Sequence, residues 1–187
     1  MSFLALDLSI LKWVNTGLGR AGLDPLFIAI TTVKTWIAPA AVGAGILLAR
    51  GRRKGLAVLA AGALAVLLGD GISSRIIKPL VGRLRPCNTV AGLRLPDGRR
   101  GTLAFPSGHA TNSAAIGTVL ASAFPPFAPI AAFIVFMVGL SRVYLGLHFP
   151  SDVIGGFLIG TPIGWLCWRF VAGLPAFHLR ESKAGDL

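Results

Sequence analysis

Apolar residues run along this chain in long blocks, separated by short polar or glycine-rich breaks. The first stretch, residues 3 to 17, mixes the two kinds. Phe3, Leu4, Leu6, Leu8, Ile10, Leu11 and Trp13 stand among Asp7, Lys12 and Asn15. It is too short and too mixed to cross a bilayer, so the pattern predicts an amphipathic helix lying at the interface, with Trp13 at headgroup depth. Gly17, Gly19 and Gly22 then loosen the chain ahead of Asp24 and Pro25. Leu26 to Ala49 is the first block long enough to cross hydrocarbon, at about 1.5 Å per residue. Lys34 and Pro39 inside it require a protein neighbour on one side, and it stops at Arg50, Arg52, Arg53 and Lys54. Further blocks run from Gly55 through Leu68 toward Ile77, from Ser107 to Phe124, from Phe127 to Arg142 and from Pro150 to Val171. Leu80 to Phe105, rich in Arg, Gly and Pro, reads as a loop outside the hydrocarbon.

The expected fold is all-α: a polytopic membrane helical bundle of about five transmembrane helices behind an N-terminal interfacial helix, forming a single domain over residues 1–187. Polar residues crowd one end of each of the later blocks. If each block crosses once, the second ends, the third starts, the fourth ends and the fifth starts on the same face of the membrane. Their polar ends therefore converge.

Composition makes lipid the natural solvent for the apolar excess. Of 187 residues, 54% are hydrophobic and 13% charged, where a soluble domain has about a quarter charged. Mean hydropathy is +0.75. The 18 Lys and Arg against 7 Asp and Glu leave a charge of +11. Such an excess suits nucleic acid, an anionic lipid surface or an anionic substrate, and the apolar blocks set nucleic acid aside. Cys87 and Cys167 lie in different segments without metal-type spacing, so no metal site, disulfide framework or cofactor is expected. The N-terminus has no basic region ahead of its apolar stretch and no cleavage signal, and reads as part of the mature protein. The basic turn Arg50 to Lys54 predicts a cytoplasmic location for that end. The polar ends then face outward, and the tail with Arg180 and Lys183 inward. Arg83, Arg85, Arg94, Arg99 and Arg100 oppose this orientation, but some of them are expected to hold substrate phosphate instead.

Three clusters fall on the shared face: Lys78-Pro79-Leu80-Val81-Gly82-Arg83-Leu84-Arg85-Pro86, then Pro106-Ser107-Gly108-His109, then Ser141-Arg142 with His148 and Asp152 following. Phosphoryl transfer must hold a dianion, supply a nucleophile and protonate a poor leaving group. Lys78, Arg85 and Arg142 bring positive charge from three segments, arginine as a planar fork and lysine as a point charge. Pro106 can open a helix at its first turn. The amides of Ser107 and Gly108 would then point at an anion, helped by the helix dipole. Pro150 can open the next helix, placing His148 just ahead of it and Asp152 in its first turn. The carboxylate then fixes the imidazole tautomer and frees the other nitrogen to attack, with His109 as the acid for the departing oxygen.

In order and spacing these clusters resemble the three-part signature of the type 2 phosphatidic acid phosphatase superfamily, K-x6-RP, PSGH and SR-x5-H-x3-D, with every signature position filled. The resemblance covers roughly residues 55 to 170. It implies a helical membrane fold and metal-independent hydrolysis, with His148 as nucleophile, Asp152 as its partner and His109 as general acid. It implies a phosphate cradle of Lys78, Arg85, Ser107, Gly108 and Arg142. The small size resembles bacterial members that cleave an isoprenyl pyrophosphate, such as undecaprenyl pyrophosphate, at the outer face of the cytoplasmic membrane. Phosphatidylglycerol phosphate, phosphatidate and lipid A phosphates are alternatives, because the signature reads the phosphate and not the tail. A silent membrane protein that binds anionic lipid is the rival of another class. It has no need of two histidines and Asp152 at these positions. The expected partners are thus a lipid phosphate and the bilayer, and the pattern sets no oligomeric state.

Four features lie outside the signature. Gly156, Gly160 and Gly164 repeat every fourth residue and predict close helix packing within the protomer. Lys34 and Asp70, costly in a bilayer, are expected to be paired or wet near the site. Residues 87 to 105 could form a lid, a headgroup reader or a loose connector. His178 reads as a solvated residue.

Overall fold

The computed structural model describes residues 2–177. His178, Arg180 and Lys183, and with them the expectations for the tail, lie outside the described residues. Helices account for nearly all regular structure among these residues, and a single antiparallel bridge, Leu84 with Leu103, stands in for sheet. The helices are α1 (Phe3–Lys12), α2 (Asp24–Thr31), α3 (Val33–Arg50), α4 (Arg52–Asp70), α5 (Gly108–Ala123), α6 (Ala128–Tyr144) and α7 (Pro150–Ala172). A π-helical turn, Trp13–Gly17, prolongs α1. Another, Gly71–Ile77, carries α4 on into a last turn, Lys78–Val81. By length and composition four stretches of the described residues can cross a membrane: Val33–Arg50, Arg52–Val81, Pro125–Tyr144 and Pro150–Ala172.

The remaining predicted crossing is α5, and its 16 residues make it the shortest. It tolerates this because it stands at the centre, touching α4, α6 and α7, so its Thr111 and Asn112 face protein. Large apolar side chains cover the outside of the bundle, among them Ile37, Val42, Leu67, Phe133, Leu158 and Phe170. A bundle whose solvent is hydrocarbon presents this outer surface. The predicted span from Leu26 to Ala49 is broken in two. Thr32 leaves the helix at φ −81°, ψ 120°, and its hydroxyl donates to the Ile28 carbonyl at 2.7 Å. Ile30, Thr31, Thr32 and Val33 are four β-branched residues in a row, stiff at χ1 and poorly suited to a helix interior. The break puts the buried Thr31 beside Arg142, whose Nη1 donates to its hydroxyl.

The N-terminal segment buries one face, and two of its polar residues, Asp7 and Asn15, lie on that face while Lys12 is exposed. Asp7, Leu11, Val14 and Asn15 are buried, while Leu4, Leu6, Ile10 and Trp13 are exposed. Asn15 donates to the carbonyls of Arg94 and Tyr144 and accepts from the Arg94 amide at 2.9 Å. Arg94 also pairs with Asp24 at 2.7 Å. The 87–105 loop is thereby pinned to the N-terminal segment rather than left as a loose connector.

The glycine stripe seats α7 on α5. A Cβ at Gly160 would stand 2.1 Å from the Thr111 carbonyl oxygen, and one at Gly164 would stand 2.2 Å from that of Ala115. Packing within the protomer, as predicted, is what the stripe provides. Gly160→Ala is expected to cost about 1–3 kcal/mol through overpacking against backbone, seen as a lowered thermal midpoint of the detergent-solubilised protein. Gly62→Ala, where nothing lies within 4 Å of the new Cβ, should leave the midpoint unchanged or slightly raised. Equal midpoints for the two variants would refute the packing argument.

Candidate active site

The start of α7 organises the site. Phe149 is its N-cap, and Asp152, in the first turn, accepts the Phe149 amide on Oδ2 at 2.9 Å. This is half of a capping box, and it holds the carboxylate beside the preceding residue. His148 Nδ1 lies 3.5 Å from Asp152 Oδ2. His148 is 1% exposed and Asp152 fully buried. The His148 amide reaches back to the Arg142 carbonyl at 3.2 Å, so the turn 145–149 brings the third cluster together as the spacing predicts.

Arg142 is 4% exposed and donates through Nη1 to the Thr31 hydroxyl at 2.6 Å. Its Nε and the Nδ1 of His148 are buried without a hydrogen-bond partner among the described residues. The Arg142 Nε, a buried donor left unpaired, is costly and calls for a ligand, whereas Nδ1 of His148 already faces the Asp152 carboxylate at 3.5 Å. Burial, then the charges of Arg85, Arg142 and Lys78, hold the His148 imidazole well below its ordinary pKa. It is therefore neutral at neutral pH, the form that can attack.

α5 supplies the second cluster, with one change from expectation. The helix starts at Gly108 rather than at Pro106, with Ser107 as its N-cap and the Ser107 hydroxyl facing the Ala110 amide at 3.5 Å. The Ser107 amide donates to the Asp152 carbonyl at 2.9 Å. It is thus spent on joining α5 to α7, and of the two amides expected to face an anion, that of Gly108 remains at the helix start. Lys78 Nζ comes within 3.8 Å of the position a Gly108 Cβ would take, so the ammonium stands over that glycine. His109 follows in the first turn, with the charges of Arg142, Arg85 and Lys78 and the imidazole of His148 as its neighbours. All eight predicted site residues are thus gathered at one end of the bundle.

The loop arginines divide sharply. Arg85 donates to the Leu103 carbonyl at 3.0 Å and acts on His148. Arg94 pairs with Asp24, Arg100 with Asp97, and Arg99 with the Cys87 carbonyl. Arg83 turns the other way: its Nη1 donates to Asp152 Oδ1 at 2.8 Å, and its Nη2 to Asp7 Oδ2 at 2.6 Å. Of the five, Arg85 is the one whose charge acts on both His109 and His148. Sequence reading missed Arg83 as a partner of Asp152, and Thr31 as the residue that orients Arg142. Arg83 carried a signal, since it stands two residues before Arg85. Thr31 carried none.

Known proteins resemble this chain in sequence and in fold. The PAP2 superfamily profile matches residues 55–175. Lipid A 4'-phosphatase of Bacteroides thetaiotaomicron is 40% identical over 118 residues, covering 59% of this chain and 52% of its own. Phosphatidylglycerophosphatase B of Bacillus subtilis is 30% identical over 180 residues, covering 89% of this chain and 79% of its own. Undecaprenyl-diphosphatase of Sulfolobus acidocaldarius is 33% identical over 120 residues, 63% of this chain and 55% of its own. The chain thus spans about half the length of the first and third of these relatives. Among solved structures, the transmembrane PAP2 type phosphatidylglycerolphosphate phosphatase from Bacillus subtilis aligns at TM-score 0.66 with 26% identity, over 89% of this chain and 85% of its own. LpxE of Aquifex aeolicus shares the fold at TM-score 0.69 with 24% identity, over 88% of this chain and 95% of its own. With the signature complete, the profile matched over more than half of its length and the bundle shared, the chain belongs to the PAP2 superfamily.

Proposed function

We propose that this protein is a membrane phosphatase that removes a phosphate from a lipid phosphate or pyrophosphate without a metal ion, through a phosphohistidine on His148. The observation that carries the reading is a buried, neutral imidazole that faces a carboxylate and is surrounded by Lys78, Arg85 and Arg142. Nδ1 faces Asp152, so Nε2 is the attacking atom. It forms a bond to phosphorus as the bond from phosphorus to the leaving oxygen breaks, and His109 gives that oxygen a proton. Water then attacks phosphorus, His109 takes its proton, and the nitrogen–phosphorus bond breaks to release inorganic phosphate. Lys78, Arg85 and Arg142 hold the phosphoryl oxygens and supply the charge that a metal supplies elsewhere, joined by the Gly108 amide and by the hydroxyl of Ser107, whose amide is engaged by the Asp152 carbonyl.

An isoprenyl pyrophosphate, such as undecaprenyl pyrophosphate, is the proposed substrate. Phosphatidylglycerol phosphate is the second reading, favoured by the Bacillus relative that matches 89% of this chain. A cavity of about 450 Å³, lined by Val66, Leu67, Asp70, Gly71, Arg75 and Asn112, supports entry from the bilayer. Asp70 precedes Lys78, and Asn112 follows His109, by one or two helical turns, so the cavity lies on the membrane side of the site. Asp70 accepts from Ser74 at 3.2 Å, and Lys34 is exposed at the start of α3. The basic turn at Arg50 to Lys54 and the site at Lys78 lie at opposite ends of the long helix that joins them. This supports a site that faces outward, in what we take to be a bacterial cytoplasmic membrane.

The test is phosphate release by the purified protein in detergent with EDTA present. The panel is undecaprenyl pyrophosphate, farnesyl pyrophosphate, phosphatidate and phosphatidylglycerol phosphate. Release is expected to survive EDTA and to be fastest with an isoprenyl pyrophosphate. Preference for phosphatidylglycerol phosphate would select the second reading. No release by well-folded protein, or release abolished by EDTA, would overturn the proposal.

A further inference from the structure

Asp7 belongs to α1, outside the segment the family profile matches, and it is 4% exposed. A carboxylate buried this deeply must be paired. Its Oδ1 accepts the Ser151 amide at 2.9 Å, and its Oδ2 accepts the Ser151 hydroxyl and Arg83 Nη2, each at 2.6 Å. The other arm of Arg83 reaches Asp152 Oδ1 at 2.8 Å and Ser151 Oγ at 2.6 Å, and its guanidinium lies 4.1 Å over the Phe149 ring. Arg83 is therefore a bridge between two carboxylates, one of which faces His148.

We propose that Asp7 is a positioning residue for the reaction, acting through Arg83 on Asp152. The inference rests on the reading of His148 as the nucleophile. When His148 takes on the phosphoryl group its ring becomes cationic, in a site that already holds Lys78, Arg85 and Arg142. Asp152 must offset that charge. Paired with Arg83 alone, Asp152 would be neutralised and its pull on Nδ1–H weakened. Asp7 supplies the second carboxylate, so that Asp7, Arg83 and Asp152 together keep one net negative charge. The fork of Arg83, fixed at both ends, also ties down Asp152 Oδ1 and leaves Oδ2 turned toward the imidazole. The N-terminal helix thus contributes to the chemistry without touching substrate.

Asp7→Asn tests this, because the amide oxygen can still accept the Ser151 amide while the charge is gone. With farnesyl pyrophosphate as probe, kcat is expected to fall about 10- to 100-fold, with KM within about twofold. Asp7→Glu should restore part of the loss. Asp7→Asn combined with Arg83→Gln leaves Asp152 as the sole charge of the cluster and should turn over faster than Asp7→Asn alone. A kcat near the wild-type value for Asp7→Asn, or a double variant no faster than the single, would overturn the proposal. Thermal midpoints measured alongside separate charge from docking, since lost docking lowers the midpoint and is not repaired by Arg83→Gln. His148→Ala runs in the same assay: if it turns over normally, it is the phosphohistidine reading that fails, whatever Asp7 does.

Discussion

His148→Ala is expected to lose at least about 10⁴-fold in phosphate release, because the attacking atom itself is removed. The bundle should survive the change. Nδ1 makes no close hydrogen bond, and the His148 amide, which holds the turn to the Arg142 carbonyl at 3.2 Å, belongs to the backbone and remains. Loss of a buried imidazole opens a space, so His148→Gln, closer in volume, is the companion variant. Both should lack the acid-labile, alkali-stable label that a phosphohistidine leaves on wild-type protein quenched during turnover of radiolabelled substrate. Near-normal turnover in either variant would remove His148 from the reaction. Lost activity together with a collapsed thermal midpoint in both would reduce the residue to a structural one.

Much of this site is legible in sequence because its parts are local. Ser107 to His109 lie in one turn, and His148 and Asp152 are brought together by Pro150 at the start of α7. The membrane bundle is legible for a similar reason, since long apolar blocks need no knowledge of their neighbours. Contacts between distant segments were not readable. Arg83 meets Asp7 across 76 residues and Asp152 across 69, and Arg142 meets Thr31 across 111. No periodicity encodes such pairs.

The orientation of α1 went unread for a different reason. In a soluble protein the polar face of an amphipathic helix is the outer one. Here the outer medium is lipid or its interface, and the protein offers Arg83, Ser151 and the Tyr144 carbonyl as partners. Asp7 and Asn15 therefore turn inward, while Leu4 and Trp13 turn out. Burying Asp7 in this way is favourable only because Arg83 and the start of α7 meet it with three hydrogen bonds.

His109→Ala is expected to slow release from lipid phosphates by about 10²- to 10⁴-fold, the usual worth of a general acid or base. The more telling outcome depends on the leaving group. A lipid alkoxide or phosphate departs poorly without a proton, whereas nitrophenolate departs without one. With p-nitrophenyl phosphate the first step should therefore persist in the variant. The second step should not, because the water that attacks the phosphohistidine needs a base and His109 is the residue placed to be one. The expected trace is a burst of nitrophenol close to one equivalent per enzyme, followed by a stall, with the label retained on His148. The charged neighbours Arg142, Arg85 and Lys78 explain how one residue can serve both steps. A bound phosphate dianion offsets those cations and lets His109 hold a proton, and its transfer and release let His109 act as base. A linear trace without a burst, slowed equally for both substrates, would show that His109 does not exchange the proton. Another titratable group would then have to be sought for that role.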